Sequence, residues 1–284
     1  MADRRASIEW GEVEVEGVRV HFRRTAGTAG KGGPPTVYVH GVPTHSEQWQ
    51  EFLARSDGPA VAYDLPGFGL SERPPPERFE GGVHAQIGLF ERLLDELGIG
   101  EHKLVVHDWG VVALAAAVRS PDRVRRLCLL NCVTLLPGYR WHRTARQWRT
   151  PLLGELSTRL WTRRLLALGL RESRGDWSRH DPAFVDMIWS RLDRGTFDAI
   201  LRLYRSAPED ELARLGEGLG AIRAPALVVW GRRDRYLPAR FGRAYAEALP
   251  NAELVEVPDA GHWPWLERPE LVDRILAFVS AGDA

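Results

Sequence analysis

The stretch that most limits what this chain can become is Leu104-Val105-Val106-His107-Asp108-Trp109-Gly110. Its opening is apolar and β-branched, which reads as a short buried strand, and the alanine-rich run over 111–118 reads as a helix. Asp108 therefore falls in a tight strand-to-helix turn. Gly110, two places further on, supplies the small residue that lets the backbone bend there and lifts the Asp108 side chain above the sheet. The ordinary alternative is that Asp108 caps the helix, since Asp accepts hydrogen bonds from the first free N–H groups and suits the helix dipole. The rest of the chain decides between the two.

Elsewhere one rhythm keeps returning. Residues 7–15 and 17–24 alternate in polarity around Gly17 and read as an antiparallel hairpin, and 27–35 reads as a flexible surface loop. Residues 36–40 form the next expected strand, 46–55 a helix with Ser46 as its N-cap, and 60–64 another strand. Ile87, Phe90, Leu94 and Leu97 recur at helical spacing within 83–97, and 124–130 is again strand-like. Strands are expected at 226–230 and 253–257, with helices at 241–249 and 271–279. Strands alternating with helices in this way imply an α/β protein with a mostly parallel, doubly wound sheet covered on both faces.

Between about 131 and 225 the rhythm stops for some ninety residues, which carry Trp141, Trp148, Trp161, Trp177 and Trp189 and no clear strand. A structureless loop of that length is implausible in a compact protein, so a helical insertion is expected there, with most of those tryptophans in its core. The division that follows is a core of residues 1–133 and 223–284 and a helical cap of 134–222.

Composition narrows the partners. The 38 basic residues balance the 38 acidic ones, which leaves no electrostatic footprint for nucleic acid or a membrane surface. A small neutral organic substrate fits better, and oligomeric state goes unspecified. The first ten residues lack the apolar core of a signal peptide and no run approaches the length of a membrane span, so a cytoplasmic protein is expected. Cys128 and Cys132 lie four apart on one expected strand, roughly 13 Å, which is too far for a disulfide.

Three motifs share one placement. Asp108, Asp234 in Gly231-Arg-Arg-Asp234, and His262 in Gly261-His262-Trp-Pro264 each directly follow an expected strand. Upstream, His40-Gly41-Val42-Pro43 ends the 36–40 strand, and Asp64-Leu-Pro-Gly67-Phe-Gly69-Leu-Ser71 follows the 60–64 strand. Over nearly its whole length the chain resembles the α/β-hydrolases, whose order of nucleophile, acid and histidine it reproduces. The usual elbow carries Ser in a G-x-S-x-G frame; here the frame is Val106-His107-Asp108-Trp109-Gly110. That places the resemblance in the Asp-nucleophile branch, which comprises epoxide hydrolases, haloalkane dehalogenases and fluoroacetate dehalogenases. It implies an α/β-hydrolase fold with the helical cap inserted after the sixth strand. It also implies an oxyanion hole from the backbone N–H groups of Val42 and Trp109, with His40 as a structural residue. Ser71 is read as a turn residue.

The carboxylate has a chemical reason. Asp is already ionised at neutral pH and can displace a leaving group from an sp³ carbon, forming an alkyl ester. His262, oriented by Asp234, would then activate the water that cleaves it, with no metal or organic cofactor. A halide leaves with N–H donors alone, and Trp109 offers an indole N–H, whereas an epoxide oxygen needs an acid. In epoxide hydrolases a pair of cap tyrosines supplies it. Tyr204, in an expected last cap helix over 196–205, lies 30 residues before Asp234 (234 − 204), as the second of that pair does, and Tyr139 is the candidate for the first. Against dehalogenation, Val42 stands where many dehalogenases carry Asn, and Asn131-Cys-Val-Thr134 offers no acid after the sixth strand. The Arg that follows the nucleophile in fluoroacetate dehalogenases is Trp109 here. The expected activity is therefore epoxide hydrolysis to a diol. Haloalkane dehalogenation through the same triad and a non-catalytic small-molecule sensor are the rivals.

Overall fold

The computed structural model describes residues 6–25, 33–177 and 181–282; residues 27–32 of the expected surface loop lie outside them. Strands β1 (Ile8–Val15) and β2 (Val18–Thr25) form the expected hairpin. Its two-residue turn, Glu16-Gly17, has positive φ at both positions (49° and 76°), the geometry that matches the twist of the flanking strands. Then come β3 (Thr36–Val39), α1 (Gln50–Ala54), β4 (Ala60–Tyr63), α2 (Val83–Glu96), β5 (His102–Asp108), α3 (Val111–Arg119) and β6 (Val124–Cys132). The sheet closes with β7 (Ala226–Gly231), α10 (Arg240–Ala248), β8 (Ala252–Val257), α11 (Pro264–Glu267) and α12 (Glu270–Ser280). Between β6 and β7 lie α4 (Arg143–Arg149), α5 (Leu153–Arg159), α6 (Arg163–Glu172), α7 (Pro182–Trp189), α8 (Arg194–Arg205) and α9 (Glu209–Leu215), with no strand among the described residues.

The eight strands run in the order β1-β2-β4-β3-β5-β6-β7-β8, antiparallel where β2 meets β1 and β4 and parallel elsewhere. Because side chains alternate across a strand, each central strand feeds two cores. Val37 and Val39, Leu104 and Val106, and Val228 and Trp230 join a cluster with the apolar faces of α2, α3 and α10. Tyr38, Val105, and Leu227 and Val229 join a second cluster with α1, α11 and α12. Both faces are thus covered, and β5, buried throughout, lies in the interior of the sheet.

Two local expectations need correction. Ser46 does not cap its helix: it is the first residue of a 3-10 turn, Ser46–Trp49, that leads into α1. Its N–H donates instead to the Asp64 carboxylate at 2.6 Å, an acceptor fixed at the end of β4. And α8 is not the last helix of the insertion, since α9 follows. Four insertion helices begin with side-chain caps, from His142, Thr162, Asp181 and Asp193. Arg73 reaches from the core to the Asp193 carboxylate at 2.8 Å and so ties the start of α8 to the sheet's upper edge.

Candidate active site

The elbow is formed as the spacing predicts. Asp108 ends β5 with φ at 51°, a left-handed conformation that a non-glycine residue adopts at a cost. A side chain at Gly110 would collide with the carbonyl of Val39, so the bend packs directly on β3. The first three residues of α3 are buried Val and Ala, thin enough to lie close behind the strand.

Three groups converge on Asp108. The Val42 N–H donates to Oδ1 at 2.8 Å, and Gly41 permits the approach, because a β-carbon there would strike the Asp108 side chain. His262 Nε2 stands 3.7 Å from Oδ2, and its Nδ1–H donates to Asp234 Oδ2 at 2.7 Å. Asp234 in turn accepts the N–H groups of Tyr236 (2.8 Å) and Leu237 (3.1 Å) through Oδ1. The Val42 loop is held by His40. Its Nε2 accepts the Leu65 N–H at 2.9 Å and its Nδ1–H donates to the Gly41 carbonyl at 2.7 Å, while burial lowers its pKa to about 4 and keeps it neutral. Ser71 braces the Asp64 backbone through its hydroxyl, as a turn residue does.

Burial raises the pKa of Asp108, and the nearby imidazole and the N–H groups of Val42 and Trp109 oppose that rise. For His262 burial disfavours the charged ring, but the Asp234 carboxylate, by charge and hydrogen bond, and then Asp108 outweigh it, so its pKa is raised. A carboxylate stripped of water beside an imidazole held by a second carboxylate is the geometry that nucleophilic attack followed by general-base hydrolysis requires.

Above the pair lies a cavity of about 110 Å³, walled in part by α4, α6 and α8. Tyr204 lines it, and burial followed by the Asp108 charge pushes its phenol well above the usual range. The Trp109 ring packs against Tyr204 with centroids 5.0 Å apart. Its indole N–H opposes the rise in part without reaching full hydrogen-bond geometry to any acceptor. Tyr139 is placed differently from Tyr204. Its ring packs edge-on to Trp141 and Phe241 and is not among the residues that line the cavity, yet its buried hydroxyl meets no hydrogen-bond partner, and burial followed by the Asp108 charge pushes that phenol well above the usual range.

Several cavity residues escape sequence reasoning. Trp148 and Trp161, expected as insertion core, line the wall, and the buried Trp148 indole N–H meets no acceptor. His142 also lines it; its Nδ1 accepts the Ala145 N–H at 3.3 Å, which leaves the proton on Nε2, and burial lowers its pKa to about 4. Asn131 links acid to strand: Nδ2 donates to Asp234 Oδ2 at 2.7 Å and Oδ1 accepts the Gly231 N–H at 2.9 Å. Its φ of 37° is one that Asn tolerates better than most residues, the one local signal of its role. No group of three or more His, Cys, Asp or Glu among the described residues is arranged to hold a metal, and Cys128 and Cys132 are free and buried.

Comparison with known proteins agrees with this architecture. Residues 34–269 match the model of the α/β-hydrolase fold family. A 2-hydroxymuconate semialdehyde hydrolase of Pseudomonas putida is 30% identical over 273 residues, covering 89% of each chain. A haloalkane dehalogenase of Mycobacterium tuberculosis is 28% identical over 87% of each. Among solved structures, a haloalkane dehalogenase from Bradyrhizobium elkani superposes with a TM-score of 0.82 at 24% identity, over 97% of this chain and 98% of that one. An epoxide hydrolase does so at 0.77 and 20% identity, over 96% and 98%. With its sheet order, its elbow and a family match that spans most of its length, the chain belongs to the α/β-hydrolase fold family and is a hydrolase.

Proposed function

We propose that the protein hydrolyses a small neutral epoxide to a vicinal diol through an ester on Asp108. The observation that carries this reading is the Tyr204 phenol on the wall of the same cavity as a buried carboxylate and a carboxylate-held imidazole. Asp108 Oδ2, the oxygen not engaged by Val42, attacks an epoxide carbon. The C–O bond of the ring breaks, and the oxygen that departs takes the proton of Tyr204. His262 then removes a proton from water, and the hydroxide attacks the ester carbon. The charge that forms there is held by the Val42 and Trp109 N–H groups. Collapse releases the diol and regenerates the Asp108 carboxylate, and the proton on His262 returns to Tyr204. His142, also on the wall with its proton on Nε2, is a second donor in this reading. In this reading residues 134–222 act as a lid that shapes the pocket and excludes water.

A second reading has its own observation. The indole N–H groups of Trp109 and Trp148 are buried without an acceptor, and both rings pack on Tyr204. A departing halide would take such donors. Incubation with styrene oxide and with 1-bromobutane, following diol and bromide, separates the two: diol release upholds the first, bromide alone the second, and neither marks a binding protein. His262→Gln should stall the reaction after ester formation, so that intact mass shows one substrate-sized adduct on Asp108. An unmodified chain would exclude covalent catalysis.

A further inference from the structure

His262 is gripped by its backbone from two sides. Its carbonyl accepts the Nε2–H of His107, on the elbow strand, at 2.9 Å. Its own N–H donates to the carbonyl of Ser173 at 2.8 Å. Ser173 caps the carboxyl end of α6, a lid helix that also contributes Leu166, Gly169 and Leu170 to the cavity wall. Backbone lies on backbone at this seam: a side chain at Gly261 would collide with the Ser173 carbonyl, and one at Gly175 with the carbonyl of Asp259. Glu267, buried at the end of α11, stitches the two segments together. Its carboxylate accepts the N–H of Gly175 at 3.0 Å and of Asp176 at 3.4 Å from the lid, and the N–H of Gly261 at 2.7 Å from the histidine loop. Bonds to an ionised acceptor are roughly twice as strong as neutral ones, and a carboxylate withdrawn from water needs them. The acid loop is tied to the same helix, because Tyr236 Oη donates to the Gly169 carbonyl at 3.3 Å.

We propose that Glu267 and the Ser173–Asp176 segment form a positioning device for His262, through which the lid sets where the imidazole stands over Asp108. The inference rests on the covalent reading above and adds to it a division of labour between the two chemical steps. Ester formation uses Asp108, Val42 and Tyr204, whose hydrogen bonds lie outside this seam. Ester hydrolysis uses His262, whose backbone N–H is held by the seam and nothing else. A displacement of about 1 Å at a reacting group can cost a hundredfold in rate. Loosening the seam therefore slows the second step far more than the first, in which His262 acts only through its charge beside Asp108.

The test compares the parent chain with Glu267→Ala and Glu267→Gln, which keeps the side-chain volume and one acceptor oxygen and serves if the alanine chain does not fold. Single-turnover intact mass with styrene oxide, and with 1-bromobutane, reads the rise and decay of the Asp108 adduct. Proton NMR reads the His262 Nδ1 proton, which the bond to Asp234 moves far downfield. In Glu267→Ala the adduct forms within about twofold of the parent rate and decays at least tenfold more slowly, and the downfield proton shifts or broadens. Glu267→Gln changes both in the same direction by less. Decay within twofold of the parent, or formation and decay slowed equally, overturns the proposal. If the parent forms no adduct with either substrate, the covalent reading has failed, and the proton resonance decides alone: unchanged in the variants, it overturns the positioning role; shifted or lost, it upholds it.

Discussion

Tyr204→Phe removes one hydroxyl and keeps the ring. That ring is packed by Trp109, Trp141 and Trp148, with centroids 5.0, 5.0 and 5.1 Å away. Phe preserves all three contacts, so the fold should survive with a stability change of about 1 kcal/mol or less. The effect on chemistry is larger. An opening epoxide places an alkoxide, a far stronger base than phenolate, in a cavity walled by tryptophan. Losing one donor to a developing oxyanion costs about 2.7–4 kcal/mol, or about 10²–10³ in rate. Because burial and the Asp108 charge hold the phenol well above its usual range, Tyr204 stays protonated through neutral pH and the loss should not vary with pH there. Bromide leaves as a weak base and still has the indole N–H of Trp109, so its loss should be about tenfold at most. Rapid-quench intact mass gives the rate of adduct formation for styrene oxide and 1-bromobutane separately. If Tyr204→Phe forms the styrene oxide adduct within threefold of the parent, Tyr204 is not the acid and the assignment built on it is wrong.

Other outcomes follow from the same geometry. His262 must be neutral to take a proton from water, and its pKa is raised above 6.5, so turnover should fall on acidification with a midpoint above pH 6.5; a midpoint below that would show that the two carboxylates do not hold the imidazolium. In Gly41→Ala the new methyl strikes Asp108 and drives it off the Val42 N–H, so adduct formation should drop by at least about a hundredfold while circular dichroism stays that of the parent. His40 is buried neutral with its pKa lowered from 6.5 to about 4, so the unfolded chain gains a proton that the native one refuses as pH falls through that window. This one ring should remove about 3 kcal/mol of stability by pH 4, and an unchanged urea midpoint between pH 7.5 and 4.5 would contradict it.

What could be read ahead of the structure followed short-range rules. The elbow was legible because β-branched residues, a bend glycine and an alanine-rich helix are adjacent in the chain, and the order Asp108, Asp234, His262 survives any detail of packing. The hairpin turn was equally legible from Gly17. Ser46 misled because its N–H found a better acceptor across the sheet, in Asp64. Tyr139 and Trp148 are both aromatic residues of the insertion, and local pattern says nothing about which of them faces the cavity. That depends on how short helices, individually too weak to form alone, settle on one another. Asn131, Tyr236 and Glu267 act through backbone groups remote in sequence, and such contacts leave no periodic trace.

The ninety-residue excursion leaves from β6 and returns at β7, two strands that pair with each other directly. Ring-closure entropy grows only with the logarithm of length, so a detour between neighbours can be rewritten freely while the strands around it keep their register. The exception is the patch where Ser173 to Asp176 rests on the His262 loop, which should resist exchange in any insertion swapped onto this scaffold.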